Sequence, residues 1–251
     1  MRTPEELVEI GFQRSPLVIV NECHDGDSHC PRTREIWRRM LPVAHAAGVR
    51  HLAMEALIPP FADAANTTHQ LPEMGIGYLA QPDMRELIGD AISLGWQLIA
   101  YECDFTLWRG GSTLSASFAN WRDAEESRNL TEFLRRMPTG TQLLVWCGHS
   151  HQRKTPQSYP GLVPHEWVRL GQRLRELSGI DPFVIDQSVT VNYRGRRPPR
   201  QEDLARYSDE LQRLGGTAGF LREEDPDQLW RDDLSADAWL LSLDNEMVKD
   251  V

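Results

Sequence analysis

The stretch Leu17-Val-Ile-Val-Asn-Glu-Cys-His24 decides the fold, because a continuous apolar run here ends abruptly in polar residues. Four consecutive apolar side chains are typical of a strand that is buried on both faces of a parallel sheet. Apolar residues at helical spacing follow over 33–47. The order of strand and helix predicts a β-α unit, with Glu22 and His24 just past the end of the strand.

The same pattern recurs along the chain. Further strands are predicted at 50–55, 96–101, 142–146 and 182–186, and further helices at 82–94, 120–136 and 166–177. Asn120 is the candidate N-cap of its helix, and Pro59 with Pro60 is expected to end the second unit. The alternation predicts a three-layer α/β fold, with a mainly parallel central sheet and helices on both faces.

The pattern weakens after Arg194. Residues 1–195 are predicted to form an α/β catalytic core. Residues 196–251 are predicted to be a helical extension of the same domain that serves as a lid or a dimer surface, so a homodimer stays open. Within it a helix is predicted at 203–214, and a last strand at 237–244 stays open. The segment 107–117, rich in glycine and serine, indicates a mobile active-site loop.

Composition narrows the classes of partner. The 251 residues carry 27 Lys and Arg against 37 Asp and Glu, a net charge of −10, which disfavours nucleic acid and anionic membranes. A neutral or cationic small-molecule substrate is expected instead. No apolar run is long enough to span a membrane, no secretory signal opens the sequence, and four cysteines are compatible with reduced thiols. These features together predict a cytoplasmic location.

Polar, titratable residues end four of the predicted strands. They are Glu22 and His24 after the first, Glu55 at the second, Glu102 and Asp104 after the third, and His149 and His151 after the fourth. In open α/β sheets this edge is where ligands bind, so one shared site is predicted. Either His24 or His151 would act as a general base there. Carboxylates and histidines together also favour a divalent-metal site.

At these positions the sequence resembles the erythromycin esterase-like superfamily, which includes the ChaN-like haem-uptake lipoproteins and the TIKI/TraB proteins. The first strand with its Glu22-Cys-His24-Asp25 is similar to the family's strand followed by Gly-Glu-x-His-Asp, and 52–55 to its second strand. Arg122-Asp-Ala-Glu-Glu-Ser-Arg-Asn129 resembles its Arg-Asp-x-x-Met-Ala-x-Asn helix, with Glu126-Ser127 in place of Met-Ala. Gly148-His-Ser-His151 resembles its Gly-x-x-His strand end.

The resemblance implies a site lined by Glu22, His24, Glu55, Arg122 and His151. His24 would be the general base, oriented by a carboxylate such as Glu55, and Arg122 with His151 would stabilise an oxyanion. Residues expected to contact substrate are Asp25, His29, Glu102, Trp121 and His149.

The leading hypothesis is a hydrolase that cleaves an ester or amide bond of a small molecule and needs either no cofactor or a divalent metal ion. One alternative, implied by the resemblance to TIKI-like proteins, is a metal-dependent hydrolase with Glu22, His24, Glu102 and His151 as the ligands. Another is a biosynthetic enzyme that uses the same acid and base groups. A third is a protein that binds haem or another small ligand through His151 or Tyr101 without chemistry.

Overall fold

A computed structural model describes residues 1–26, 28–73, 77–113, 115–148, 150–158, 166–192, 201–225 and 233–249. Its helices are α1 (Pro4–Arg14), α2 (Pro31–Ala46), α3 (Pro59–Thr68), α4 (Pro82–Leu94), α5 (Ala116–Arg136), α6 (Leu170–Ser178) and α7 (Gln201–Arg213). Its strands are β1 (Leu17–Glu22), β2 (His24–Asp25), β3 (Ser28–His29), β4 (His51–Met54), β5 (Gln97–Ala100), β6 (Leu143–Gly148), β7 (Gln157–Ser158), β8 (Glu166–Trp167), β9 (Phe183–Asp186), β10 (Thr217–Leu221), β11 (Ala238–Ser242) and β12 (Val248–Lys249).

Seven strands form the central sheet in the order β10-β11-β9-β1-β6-β4-β5. All neighbours in it are parallel except the antiparallel pair β10 and β11. β1 and β6 lie in the middle of the sheet and are buried over their whole length. The five predicted strands therefore all form, and their carboxyl ends meet at one edge.

Helices cover both faces of this sheet. Within β1, Val18 and Val20 pack into a core with α1, α2, α3 and α4, whereas Leu17 and Ile19 pack into a second core with α5, α6 and α7. Alternate side chains of a strand point to opposite faces, which explains why the run is apolar throughout. The predicted three-layer α/β fold is thus confirmed. None of the described helices is both long and apolar enough to cross a membrane.

Helix starts differ from the sequence-based expectation in four places. α6 begins at Leu170 and not at 166, because 166–167 pair as β8 with β7. The α1 helix was not predicted; Thr3 caps it in a capping box with Glu6. Pro59 begins α3 instead of ending the preceding unit, because proline is tolerated in the first turn of a helix. Ser115, not Asn120, caps α5, since its side chain accepts a hydrogen bond from Phe118 N.

The C-terminal segment contributes strands as well as a helix, which corrects the expectation of a helical extension. α7 and β11 form where a helix and a last strand were considered, whereas β10 was not predicted. Besides α7 it supplies β10 and β11, and β11 joins the sheet beside β9. A Cβ at Gly219 would lie 2.0 Å from Trp239 O, so β10 needs a glycine there to approach β11. Glycine weakens the apolar pattern by which strands are recognised. The predicted boundary at residue 195 falls outside the described residues.

A short 3-10 turn at Phe105–Leu107 precedes the segment predicted as a loop. Where it is described, residues 108–115 form neither helix nor strand, and α5 begins at Ala116. The segment joins the carboxyl end of β5 to a helix that packs over the sheet. Its mobility stays a prediction.

Candidate functional site

The side chains at the carboxyl edge of the sheet are arranged around two histidine-carboxylate pairs. In the first, His24 Nδ1 lies 2.7 Å from Glu22 Oε1, directly after β1. The other carboxylate oxygen of Glu22 accepts from Arg34 Nε on α2 at 2.8 Å. Glu22 and Arg34 are buried, whereas the side chain of His24 is 21% exposed. We call Glu22 and His24 the first dyad, and Arg34 is the arginine that binds its carboxylate.

In the first dyad, each residue stabilises the charged form of the other. Burial raises the pKa of Glu22, but the hydrogen bond to His24 and the charges of His24 and Arg34 hold that pKa below its ordinary value. Burial lowers the pKa of His24, but the bond to Glu22 outweighs it and the pKa lies above the ordinary value. Glu22, and not Glu55 as expected, orients His24. With Nδ1 bonded to a carboxylate, Nε2 is the basic nitrogen of the neutral ring.

The second dyad has the same construction from different elements. His151 Nδ1 is hydrogen-bonded to Asp123 Oδ1 on α5, and Asp123 Oδ2 accepts from Arg169 Nη1 at 3.1 Å. Arg169 also donates to Ser150. Burial raises the pKa of Asp123, but His151 and Arg169 hold it below its ordinary value. The side chain of His151 is 16% exposed.

Gly148, the last residue of β6, is the point on which both dyads converge. A Cβ built on Gly148 would lie 3.1 Å from His24 Cε1, 3.4 Å from His151 Cδ2 and 3.1 Å from Glu55 Oε2. At 3.1 Å a neighbour must move by a few tenths of an ångström, so a side chain at this position would press on the His24 ring and on Glu55. The Gly148 N–H also donates to Glu55 Oε2. The rings of His24 and His151 therefore border one small space at the end of β6.

Arg122 on α5 is surrounded by carboxylates. Its Nη1 lies 2.6 Å from Glu55 Oε1, its Nε donates to Glu102 Oε1 at 2.9 Å, and Nε lies 3.0 Å from Glu126 Oε1. Glu102 Oε2 also accepts from Ala56 N at 3.1 Å. The predicted oxyanion contact for Arg122 is not favoured by this geometry, because its N–H groups are directed to carboxylates. It neutralises buried acids instead.

The three carboxylates around Arg122 differ in charge. Burial raises the pKa of Glu55, but Arg122, His151 and His24 lower it far below its ordinary value, so Glu55 is ionised. Burial and the neighbouring acids raise the pKa of Glu126 well above its ordinary value despite Arg122. One guanidinium cannot balance three buried negative charges, which explains why the pKa of one of these acids is raised.

Two groups of side chains at this edge have the composition of a metal site. Asp123, Glu126 and His151 form one group, and Glu55, Glu102 and Glu126 form the other; within each, the ligand atoms lie within 4.8 Å of one another. The predicted set, Glu22, His24, Glu102 and His151, is neither of these. Glu22 would have to give up a bond to His24 or Arg34 to bind an ion, as Asp123 would have to give up a bond to His151 or Arg169.

Haem ligation through Tyr101 does not fit the structure. The Tyr101 side chain is 1% exposed, and its hydroxyl donates to Trp146 O at 2.7 Å inside the second core. A ring buried in this way cannot reach an iron atom without unfolding its strand end. His151, the other predicted haem ligand, has Nδ1 bonded to Asp123 and its side chain partly exposed.

The residues predicted to contact substrate are distributed unevenly. Glu102 lies in the site through Arg122, whereas Asp25 is exposed on the β2–β3 hairpin. His29 is buried, and its Nε2 lies 2.8 Å from Asp83 Oδ2, which ties it to the network behind the first dyad. Trp121 belongs to a group of aromatic rings on α5 and the preceding segment. His149 lies outside the described residues.

Sequence reasoning did not single out four buried groups of the site. Asp123 was visible only as the neighbour of Arg122 in the helix motif, and Glu126 only as a departure from that motif. Arg34 falls in a predicted helix, where an arginine is expected to face solvent. Nothing in the sequence marks Arg169, which reaches Asp123 from the residue before α6.

A separate cavity of about 450 Å³ opens near the carboxyl ends of β9 and β11. Its lining includes Arg32, Glu35, Thr190, Asn245 and Glu246. No dyad residue lines it. The cavity and the two dyads are therefore distinct features of the described structure.

No protein-family model matches the chain, and no curated protein sequence matches it either. Solved structures do match. An erythromycin esterase, EreC, in its open conformation aligns over 98% of this chain and 94% of its own, with a TM-score of 0.58 and 11% identity. ChaN of Campylobacter jejuni with cofacial haem aligns over 95% and 91%, with a TM-score of 0.50 and 8% identity.

Bacterial toxins share part of this architecture. The effector domain RRSP of a MARTX toxin from Vibrio vulnificus aligns over 80% of this chain, with a TM-score of 0.51 and 13% identity. The chain spans 36% to 38% of the length of three such toxin chains. At these identities the similarity establishes the fold. The chain has the fold shared by erythromycin esterase EreC and ChaN, as the resemblance of its motifs predicted.

Proposed function

We propose that the chain is a hydrolase that cleaves an ester or amide bond of a small molecule, with His24 as the general base. The observation that carries the proposal is the convergence of two dyads on Gly148. Each imidazole is bonded through Nδ1 to a buried carboxylate and is partly exposed. Both ring edges face the Cα of Gly148, so a substrate bound against this backbone position would contact both imidazoles.

The chemistry requires one base and one acid. His24 Nε2 takes a proton from water while the water oxygen forms a bond to the carbonyl carbon. Glu22 stabilises the imidazolium that results, because its charge lies 2.7 Å from Nδ1. The tetrahedral intermediate then collapses with cleavage of the bond to the leaving group, which receives a proton from an imidazolium. Water is consumed, and an acid and an alcohol or amine are released.

His151 is positioned to act as the acid of this reaction. Its Nε2 lies 3.9 Å from Glu55 Oε1, and Asp123 holds the ring from the other side. A protonated His151 would donate to the oxyanion or to the leaving group. The Glu55 carboxylate on that side of the ring is ionised, because Arg122 holds its pKa below the ordinary value.

Charge supports a neutral or cationic substrate over an anionic one. The buried acids Glu22, Glu55 and Asp123 are held ionised, and the chain as a whole carries −10. An anionic substrate would be repelled. Cytoplasmic location and a homodimer remain part of this proposal.

The test is hydrolysis followed by isotope incorporation. Neutral, cationic and anionic esters and amides are incubated with the chain in ¹⁸O-labelled water, and ¹⁸O in the acid product is measured by mass spectrometry. We expect label with a subset of neutral or cationic substrates, and its loss in His24→Asn.

His69→Asn is the matched control, because His69 is an exposed histidine at the left-handed C-cap of α3, a position that asparagine tolerates. It should keep full activity. Equal label in wild type and in His24→Asn would remove His24 from the mechanism. Consumption of substrate without label would favour the biosynthetic alternative, in which the same groups catalyse dehydration or cyclisation.

A divalent-metal-dependent hydrolase is the second candidate, and the grouping of Asp123, Glu126 and His151 favours it. Such an ion would supply an acidic bound water at neutral pH. Plasma mass spectrometry of the purified chain should then find near-stoichiometric metal that Glu126→Gln removes. Metal-free protein with full activity would leave His24 as the base.

A further inference from the structure

Four aromatic rings form a continuous group beside the site. Trp108 lies 5.3 Å from Trp121 and 5.6 Å from Phe118, measured between ring centroids, and Phe105 stacks on Phe118 at 5.8 Å. Phe118 and Trp121 are also in contact, at 5.7 Å. We call these four residues the aromatic cluster.

The cluster is joined to the catalytic edge at both of its ends. The segment that carries Phe105 and Trp108 begins just after Glu102, and α5 continues from Trp121 directly into Arg122 and Asp123. Arg122 donates a hydrogen bond to Glu102, so both ends of the segment that carries the cluster lie at the site. Phe118 and Trp121 of the cluster and Asp123 of the second dyad therefore belong to the same helix.

The cluster presents apolar surface to solvent. Phe105 is 51% exposed, and the neighbouring Leu107 is 56% exposed. Trp108 is held in place, because its Nε1 donates to Gly111 O at 3.0 Å and its ring covers Gly110, where a Cβ would lie 2.0 Å away. With that N–H bonded, Trp108 presents mainly its ring surface. Contiguous apolar surface of this kind is one mark of a binding site.

We propose that the aromatic cluster is a subsite that binds an aryl or alicyclic ring of the substrate, next to the bond that the dyads cleave. The inference rests on the proposed function and names its substrate class: neutral or cationic esters or amides that carry a ring. Ring edges and faces at 5–6 Å spacing make a wall on which another ring packs. Continuity with the catalytic edge favours a substrate ring over a separate partner.

The first experiment compares substrates that differ only in the ring. Ethyl acetate, ethyl cyclohexylacetate and ethyl phenylacetate share the bond to be cleaved. Wild type should prefer the two ring-bearing esters. Trp121→Ala should lower kcat/KM for them roughly 10-fold to 100-fold through KM, and should change ethyl acetate little.

Phe133→Ala is the matched control. Phe133 is an aromatic residue of the same helix, but it lies near its other end and packs on His51. It should leave the preference among the three esters unchanged. Trp121→Leu, which keeps an apolar side chain of intermediate size, should fall between wild type and Trp121→Ala if the fold is intact by circular dichroism.

A binding measurement separates failure of the subsite from failure of the proposed function. Saturation-transfer NMR with 3-phenylpropan-1-ol, which has no bond to hydrolyse, should show binding to wild type and Phe133→Ala but not to Trp121→Ala. If the ring compound binds in this way but no ester is hydrolysed, the subsite is supported and the proposed hydrolase function is wrong. Hydrolysis with an ester preference that Trp121→Ala does not alter would overturn the subsite, and a protein partner would then be the better occupant of the cluster.

Discussion

The two histidine-carboxylate dyads have the same arrangement of bonds, but the histidine and its carboxylate are close in sequence in one dyad and far apart in the other. In each, a partly exposed histidine is bonded through Nδ1 to a buried carboxylate whose second oxygen is bound by a buried arginine. The first dyad joins residues only two positions apart at the end of β1, whereas Asp123 and His151 are 28 positions apart. The same chemistry therefore arises once from local sequence and once from tertiary packing.

That difference has consequences for how each dyad is held. Glu22 is fixed by the sheet, since it is the last residue of a strand with neighbours on both sides. Asp123 depends on the packing of α5 against α6, which brings Arg169 within reach. We therefore expect the first dyad to be less sensitive to changes in helix packing than the second.

The largest expected effect comes from removing each histidine. His24→Asn should lower kcat/KM on a substrate found by isotope incorporation by about 10²-fold to 10⁴-fold, the usual contribution of a general base. His151→Asn should cost less, because it removes charge stabilisation and leaves the base in place. Steady-state kinetics at one pH checks the order. A larger loss in His151→Asn would mean that His151 is the general base and that His24 stabilises charge.

The next effect is on stability and tests the two arginines. Arg34→Met and Arg169→Met each leave a buried carboxylate without one of its partners, which should lower the free energy of unfolding by about 3–5 kcal/mol. Arg34 also binds Asp83 Oδ1 at 2.7 Å, so its loss should be the greater. Urea unfolding of the two variants and of Arg136→Met, a control at an exposed arginine, measures the difference.

The same contrast explains which parts of the site the sequence could predict. Apolar runs and the residues that end them are local, so the strands, the sheet and the positions of Glu22, His24 and Glu55 follow from pattern alone. Asp123, Glu126 and Arg169 acquire their roles only when α5 packs over the carboxyl edge. No local pattern separates a buried charged residue of an amphipathic helix from an exposed one. Arg122 was found through the family motif, but its carboxylate partners required the structure.

A smaller effect is expected in the pH dependence of the first dyad. The pKa of His24 is raised above its ordinary value of about 6.5, so activity that needs the neutral base should rise with pH to a midpoint above that value. Glu22→Gln should move the midpoint down. The raised pKa of His24 also stabilises the folded protein. This contribution to the free energy of unfolding is complete below about pH 6.5 and is lost as the pH rises through the pKa of the folded state. Proton NMR titration of His24 in both proteins checks the direction.

The smallest expected effect concerns the residue that holds Glu55 between the dyads. Ala56 has φ 63°, a left-handed conformation that costs an alanine about 1 kcal/mol or more, and its N–H donates to Glu102. Ala56→Gly relieves that strain, but it also gives the unfolded chain more freedom, so stability should change by less than about 1 kcal/mol.

The informative readout for Ala56→Gly is activity compared with His69→Gly, which relieves the same strain at φ 54° away from the site. If the strained backbone fixes Glu55 relative to both histidines, only Ala56→Gly should lower kcat, by about 2-fold to 10-fold, since small misplacements are costly in catalysis. Equal activity in both glycine variants would mean that Arg122 and Gly148 alone position Glu55. In that case the contacts of Glu55 from α5 and β6, and not the strand end that carries it, set the geometry between the dyads.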